Sequence, residues 1–310
     1  MALAAKPNLS PPQVSELLRS AHPDPVTRLE SLPEGEDSQV FRFEARDQWY
    51  VLRIRSSREG FLKDAYAAAH FASAALAIPP VHRIGTVGDK LAYCISAYVP
   101  GTTLQDLEAR DLDATLPHVL ALHETLAQVN ICDTTGYGVF DTHGTGPAPS
   151  WAAWLVTTVA GPEVNWAAVL DGGAVPVRLI REAEDHFRGL VDRVPTERNL
   201  FHGDFGSNNL LARDHQVVGV LDWDRAGYGD WLFDVAAAYY WRPHLLCMDR
   251  AAQAYERHWA HLPRYRVRIQ CYQLRLALGE IYAQAQTCQG PWLDWHLRRC
   301  QDILMDVHSM

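Results

Sequence analysis

The sequence has no apolar run of about 18 residues, the length a helix needs to cross a bilayer, so no membrane span is expected. Its start, MALAAKPNLSPPQ, lacks a basic segment followed by a long apolar one, which argues against a secretory leader. Six cysteines (Cys94, Cys132, Cys247, Cys271, Cys288 and Cys300) are spaced irregularly, and none forms a C-x-x-C pair. Neither a zinc site nor a disulfide framework is expected from such spacing, and a reducing cytoplasm is. There is no run of five basic residues, and the formal net charge is −9. Both speak against nucleic acid as a partner, because neutralising phosphates takes clustered Lys and Arg. The phosphate-binding patterns G-x-x-x-x-G-K-[ST] and G-x-G-x-x-G before a strand are also missing.

What remains is an ordinary globular composition of 310 residues, 48% apolar and 21% charged. That length allows two lobes, each with its own core. Ten Trp and twelve Tyr suit cores, and they suit walls that stack on sugars or bases. Ser10-Pro11-Pro12 predicts a helix start. Val40–Glu44 and Trp49–Arg55 predict a hairpin across Ala45-Arg46-Asp47-Gln48. Phe61–Leu76 is Ala-rich and free of Gly and Pro, which predicts a helix ended by Pro79-Pro80. Leu91–Ala97 predicts a strand, and Pro100-Gly101 punctuates it. Beyond Gly101 the pattern turns helical, with Leu116, Val119, Leu120, His123 and Ala127 on one face. His123, Cys94 and Cys271 read as core residues. Helical patterns recur at 151–160, at 178–194 and from about 231, interrupted by a strand-turn-strand near 208–221. The expected fold is α+β and bilobal: a small β-rich lobe over residues 1–99, a hinge near 97–101, and a larger helical lobe over 100–310. A monomer is expected.

The chemistry concentrates in Phe201-His202-Gly203-Asp204-Phe205-Gly206-Ser207-Asn208-Asn209 and in Leu221-Asp222 beyond it. His-x-Asp with Asn five residues after the Asp, then a hydrophobic strand ending in Asp, matches the order of catalytic and metal-binding residues in protein kinases. If Asn209–Ala212 pairs with Gln216–Leu221, Asn209 falls nearly opposite Leu221, with Asp222 just beyond. Two oxygen-bearing side chains then converge, and Mg²⁺ needs few protein oxygens when phosphate and water complete its shell. Asp204 stands on the loop before this hairpin, where a carboxylate can accept a hydroxyl proton. His202 accompanies it in the catalytic loop, with a ring suited to bracing backbone carbonyls. Asp234, one turn into the next helix, is placed to buttress that loop, and Asp230 to cap the helix.

The nucleotide side is less direct. Gly35 and Ser38 lie in a loop between strands, where amides and a hydroxyl can touch phosphate. In Tyr50-Val51-Leu52-Arg53-Ile54-Arg55 a cation stands where a kinase strand holds the α- and β-phosphates. Alternation puts Arg53 and Arg55 on one face, so spacing does not choose between them. Asp64, on the following helix, can pair with Arg53.

These residues, taken in order from the Gly35 loop through the Arg53 strand, Tyr98-Val99-Pro100-Gly101, His202–Asn209, Asp222 and Gly229–Asp234, resemble the aminoglycoside phosphotransferase family. Glu34-Gly35-Glu36, Tyr50–Arg53, His70–Leu76, Tyr93–Ser96, Thr103–Leu107, Phe205–Asn209 and Trp241-Arg242-Pro243 resemble its hygromycin B branch, which modifies a 4-hydroxyl. The resemblance implies a protein-kinase-like fold, ATP beneath the first lobe, adenine on the backbone near Ser96, Tyr98 and Val99, and Asp204 as base. It also implies Mg²⁺ on Asn209 and Asp222. Arg53 stands where most of the family carries Lys; Arg still holds phosphates, and bidentately.

A cationic aminocyclitol calls for carboxylates and aromatic walls. Besides Asp204, the candidates are Asp224, Asp230, Glu280 and Asp294, with Tyr240, Trp241, Tyr282, Trp292 and Trp295. A kinase of the same fold acting on choline, a sugar or another antibiotic is the alternative, and a nucleotide-binding pseudokinase is a third. Intact Asp204, Asn209 and Asp222 argue against the third.

Overall fold

The computed structural model describes residues 6–35, 37–287 and 290–307. Glu36 of the Gly35 loop and Cys288 lie outside them.

Helix α1 (Pro11–Ala21) opens at Ser10, as the two prolines predict, with a capping box between Ser10 and Gln13. Strands β1 (Arg28–Ser31), β2 (Gln39–Ala45) and β3 (Gln48–Arg55) follow, then α2 (Glu59–His70), β4 (Val81–Val87) and β5 (Leu91–Ala97). The strands form one antiparallel sheet in the order β1-β2-β3-β5-β4. The β2–β3 hairpin turns on two residues only, Arg46 and Asp47, both with positive φ (49° and 58°). A turn with two such residues matches strand twist.

Alternation sorts the sheet's faces. Phe41, Phe43, Leu52, Ile54, Tyr93 and Ile95 pack on Val14, Leu17 and Leu18 of α1. Arg53 and Arg55 emerge on the opposite face, their guanidinium carbons 5.2 and 5.3 Å from the Phe61 ring of α2.

Helix α2 ends at His70, six residues before the predicted Leu76. Ser73 and Leu76 exchange backbone hydrogen bonds in a turn instead, and the Ser73 hydroxyl accepts the Leu76 amide at 3.1 Å. The turn drives Leu76 and Ile78 into the core of the second lobe. Burial there outweighs the helix propensity of the alanines.

The second lobe begins with β6 (Thr102–Thr103), α3 (Ala109–Gln128), β7 (Gly138–Val139), α4 (Trp151–Leu155), α5 (Thr157–Ala160), α6 (Trp166–Asp171) and α7 (Val177–Val191). The helix expected over 151–160 is thus two short ones that meet at Val156. Next come β8 (Asn199–Phe201), β9 (Leu210–Arg213), β10 (Gln216–Val220), β11 (Gly227–Gly229), α8 (Leu232–Trp241), α9 (Leu246–Trp259), α10 (Tyr265–Thr287) and α11 (Pro291–Val307). Helix α10 touches α5, α6, α7, α8 and α11 and forms the lobe's axis. Two small sheets, β10-β9-β6 and β7-β11-β8, sit between this bundle and the first lobe. His123, Cys94 and Cys271 are buried, as expected of core residues. Among the described residues no helix is long and apolar enough to cross a membrane.

Candidate active site

The β9–β10 hairpin turns at Asp214 and His215, both with positive φ. Its register shifts by one residue between Val217 and Gly219. That bulge brings Asn209 level with Leu221, whose amide donates to the Asn209 carbonyl at 2.8 Å. The His118 ring accepts the Val217 amide at 2.6 Å and pins the strand beside the bulge.

The catalytic loop runs between β8 and β9. Asp234 of α8 accepts the amides of His202 and Gly203, each at 2.7 Å. Burial pushes its carboxyl up to about 7, against the pull of those two donors. Gly203 has φ 82°, and a Cβ there would meet the Arg225 carbonyl at 2.1 Å, so only glycine lets the loop pass. His202 does not reach the site. It is fully buried, with Nε2 donating to the Leu221 carbonyl at 2.9 Å and Nδ1 accepting the Asp204 amide at 3.3 Å. Its place among the catalytic residues is therefore corrected: it is a positioning residue, joining the Asp204 backbone to the residue before Asp222.

Asp204 is exposed at the loop's tip. Asn209 donates from Nδ2 to its carboxylate at 2.9 Å and to its carbonyl at 3.0 Å. What Asn209 can then offer a cation is its amide oxygen. Asp222 has a left-handed backbone (φ 57°, ψ 78°), and its buried Oδ1 has no hydrogen-bond partner. An unpartnered buried carboxylate oxygen, one residue beyond the Leu221–Asn209 hydrogen bond, fits a magnesium ion, which favours oxygen ligands.

Arg53 donates to Asp64 at 2.5 Å, as the sequence suggested. The other Asp64 oxygen accepts the Trp223 amide at 2.7 Å, so this pair reaches across the lobes. Burial works against the Arg53 charge, and Asp64, Cys94 and Asp222 together more than offset it. Arg55 takes a different partner, Asp224, at 3.4 Å. The structure thus separates two arginines that spacing left equivalent.

At the hinge, the Ala97 amide donates to Pro80 and the Tyr98 amide to Trp49. The Tyr98 amide is thus committed to the sheet, while its carbonyl is not part of that bond. Val99 follows, with its side chain close to Gly219. Ser96 is buried within the sheet, paired with Val51 and Val81. Gly35 is exposed, and its carbonyl accepts from Lys6 at 2.8 Å. Ser38 is half-buried beside it.

Of the acceptor candidates, Asp230 is corrected. It is 1% exposed and accepts from both Arg268 Nε (2.6 Å) and Nη2 (2.5 Å), from Tyr272 (2.5 Å) and from the Leu232 amide (3.0 Å). It lies just before the N-cap of α8, Trp231, takes the first amide of that helix and is sealed from ligands. Tyr282 is likewise committed, donating to the Glu163 carbonyl and accepting the Asn165 amide. Asp224 is held by Arg55 and Lys63 at the lobe interface.

Glu280 of α10 faces Arg225 at 3.8 Å, and Arg225 is the residue whose carbonyl packs on Gly203 of the catalytic loop. The Glu280 charge also acts on Tyr240. Tyr240 is buried and bonds His296 at 2.7 Å, supporting a cluster of more exposed rings. Trp241 stacks on Trp295 (centroids 5.0 Å, 11°), and Trp292 stands edge-on to both, 44% exposed. His244 completes that cluster, 5.0 Å from Trp292. Asp294 is exposed on α11, beside these rings in sequence. Sequence reasoning missed Gly60, Arg225 and His244. A glycine in the first turn of a helix was the one available signal, and it marks Gly60.

The sequence profile of the phosphotransferase enzyme family matches residues 28–268. Hygromycin-B 4-O-kinase of Escherichia coli is 35% identical over 300 residues, covering 96% of this chain and 86% of that protein. A crystal structure of a thermostable mutant of aminoglycoside phosphotransferase APH(4)-Ia, in ternary complex with AMP-PNP and hygromycin B, superposes with a TM-score of 0.89. It is 34% identical, and the match covers 96% of this chain and 100% of that one. A second crystal structure of APH(4)-Ia gives 0.88 at 34% identity, covering 96% and 99%. With its bilobal, kinase-like fold and this profile over most of its length, the chain belongs to the phosphotransferase enzyme family.

Proposed function

We propose that this enzyme transfers the γ-phosphate of ATP to the 4-hydroxyl of hygromycin B, a reaction that confers resistance to the drug. The observation that carries this reading is an exposed carboxylate, Asp204, held by Asn209 on the loop that precedes the hairpin ending in Asp222, whose buried Oδ1 has no hydrogen-bond partner. The likeness to the Escherichia coli hygromycin-B 4-O-kinase over nearly the whole chain supports the choice of acceptor.

Phosphoryl transfer asks a protein mainly for position and charge. Asp204 orients the acceptor hydroxyl and takes its proton as the oxygen attacks. Arg53, kept charged by Asp64, holds the non-transferred phosphates, while Gly35 and Ser38 cover them. The backbone near Ser96, Tyr98 and Val99 receives the adenine. Asn209 and Asp222 would hold Mg²⁺, which neutralises charge on the phosphates when bound. Glu280 takes an ammonium of the aminocyclitol, and Trp241 and Trp292 stack on its sugar rings. Asp294 adds negative charge at the rim. A monomer in the cytoplasm suits this role, since ATP is supplied there.

The test is ADP release with ATP and Mg²⁺, with and without hygromycin B, followed by mass and NMR analysis of the product. Drug-dependent release with phosphate on the 4-hydroxyl is expected. Absence of stimulation by any aminocyclitol would overturn the reading. Stimulation by choline or a simple sugar instead would reassign the acceptor.

A further inference from the structure

Asp222 has a left-handed backbone, a conformation that non-glycine residues adopt at a cost, so something must hold it there. Its two neighbours are held by different lobes. On one side, the Leu221 amide bonds Asn209 within the second lobe. On the other, the Trp223 amide bonds Asp64 of α2, which belongs to the first lobe. Helix α2 then grips the next residue as well. Lys63 donates to the Asp224 carbonyl at 3.0 Å and lies 3.6 Å from its carboxylate, which Arg55 also meets at 3.4 Å.

These cations are not surface ornaments. The side chains of Lys63 and Arg55 are only 8% and 13% exposed. Glu59, at 3.7 Å, is a further carboxylate near Lys63, and the charge of Asp141 in the second lobe is felt there as well. Without Asp224, two largely buried cations of the first lobe would lose their direct ion-pair partner on the second, which is costly. The contact is also tailored in space. A Cβ on Gly60 would stand 2.3 Å from Arg55 Nη1 and 2.9 Å from Asp224 Cγ.

We propose that Lys63, Arg55 and Asp224 form an inter-lobe clamp that positions Asp222, so that the metal site is complete only while α2 grips residues 223–224. Asp224 is then a positioning residue and not part of the acceptor wall. The proposal rests on the reading of Asp222 as a magnesium ligand. It predicts that loosening the clamp weakens the nucleotide's magnesium-dependent affinity and spares the remainder.

Binding of a fluorescent ADP analogue by anisotropy, in Mg²⁺ and in EDTA, tests this on the full chain. Wild type and Asp222→Asn establish the reading itself: wild type should bind more tightly with Mg²⁺, and Asp222→Asn should lose that gain. Lys63→Met and Asp224→Asn should each lower affinity about tenfold in Mg²⁺ while staying within about twofold of wild type in EDTA. Lys63→Arg should restore most of the loss. Gly60→Ala loosens the same contact without removing a charge, and gives the same pattern if the charge variants fold poorly. Loss of Mg²⁺ dependence in Asp222→Asn together with wild-type behaviour in the clamp variants overturns the clamp alone. Equal losses in Mg²⁺ and EDTA overturn it too, since they mark general damage. Retained Mg²⁺ dependence in Asp222→Asn overturns the metal reading.

Discussion

The two ends of the proposed active site are built differently. At the donor end several buried polar side chains are tied to backbone. Asp234 holds two amides, Asp64 holds one, and His202 bonds at both ring nitrogens. At the acceptor end the elements are aromatic rings and one loose ion pair, Arg225–Glu280 at 3.8 Å, with Arg225 68% exposed. A backbone-tied site holds one geometry and suits a constant partner such as a nucleotide. Rings and an exposed pair can be exchanged without disturbing the fold. The contrast explains how one donor apparatus can serve different acceptors.

Variants can break or sharpen this contrast. Asp204→Asn should cut kcat by about 10²–10⁴-fold with little change in KM for the drug, because it removes the base and keeps the shape. A matching rise in KM would mean that Asp204 mainly binds. Asp230→Ala should leave Arg268 buried without its carboxylate and destabilise the fold by about 3–5 kcal/mol, read as a loss of denaturant midpoint. Wild-type stability there would show that the site is not sealed. Glu280→Gln should raise KM for hygromycin B about tenfold and leave kcat nearly intact, as expected for lost ground-state binding. Trp292→Ala should raise KM about threefold, the modest cost of one exposed stacking ring.

The smallest effect is on pH dependence. Burial pushes His123 down to about 3 and His296 to about 4, below the ordinary 6.5. Their contribution to stability is whole above pH 6.5 and is lost as pH falls toward those values. Asp234, raised from 3.8 to about 7, acts in the opposite sense between those two pH values. Burial lowers His118 and His202 as well and raises Asp64, and the histidines, being more numerous than the two carboxyls, leave a net fall on acidification from pH 6.5 to 4. His296→Gln should flatten it in urea titrations at stepped pH.

The donor end was largely legible in the sequence because its information is local. Asp204 and Asn209 are five residues apart, and one bulged hairpin carries Asp222 toward them. The Arg53–Asp64 pair spans only a strand end and the start of a helix. The acceptor end depends on distant partners. Asp230 resembled a ligand-binding carboxylate until Arg268, 38 residues on, was seen to seal it. Nothing near Asp224 in sequence announces Lys63, 161 residues away. The overlong helix at 61–76 failed for a related reason: the alanines favour helix locally, but the second lobe's core claims Leu76.

The bulge in the β9–β10 hairpin makes chain length a chemical variable. Removing one residue between Val217 and Gly219 would restore a regular ladder and slide Asp222 by about 3.3 Å, turning its side chain to the other face. Residues added at the Asp214-His215 tip would leave every pairing below it unchanged. The same short hairpin therefore has one end where a peptide tag or a whole domain can be inserted, and a midpoint where a single deletion should silence the enzyme.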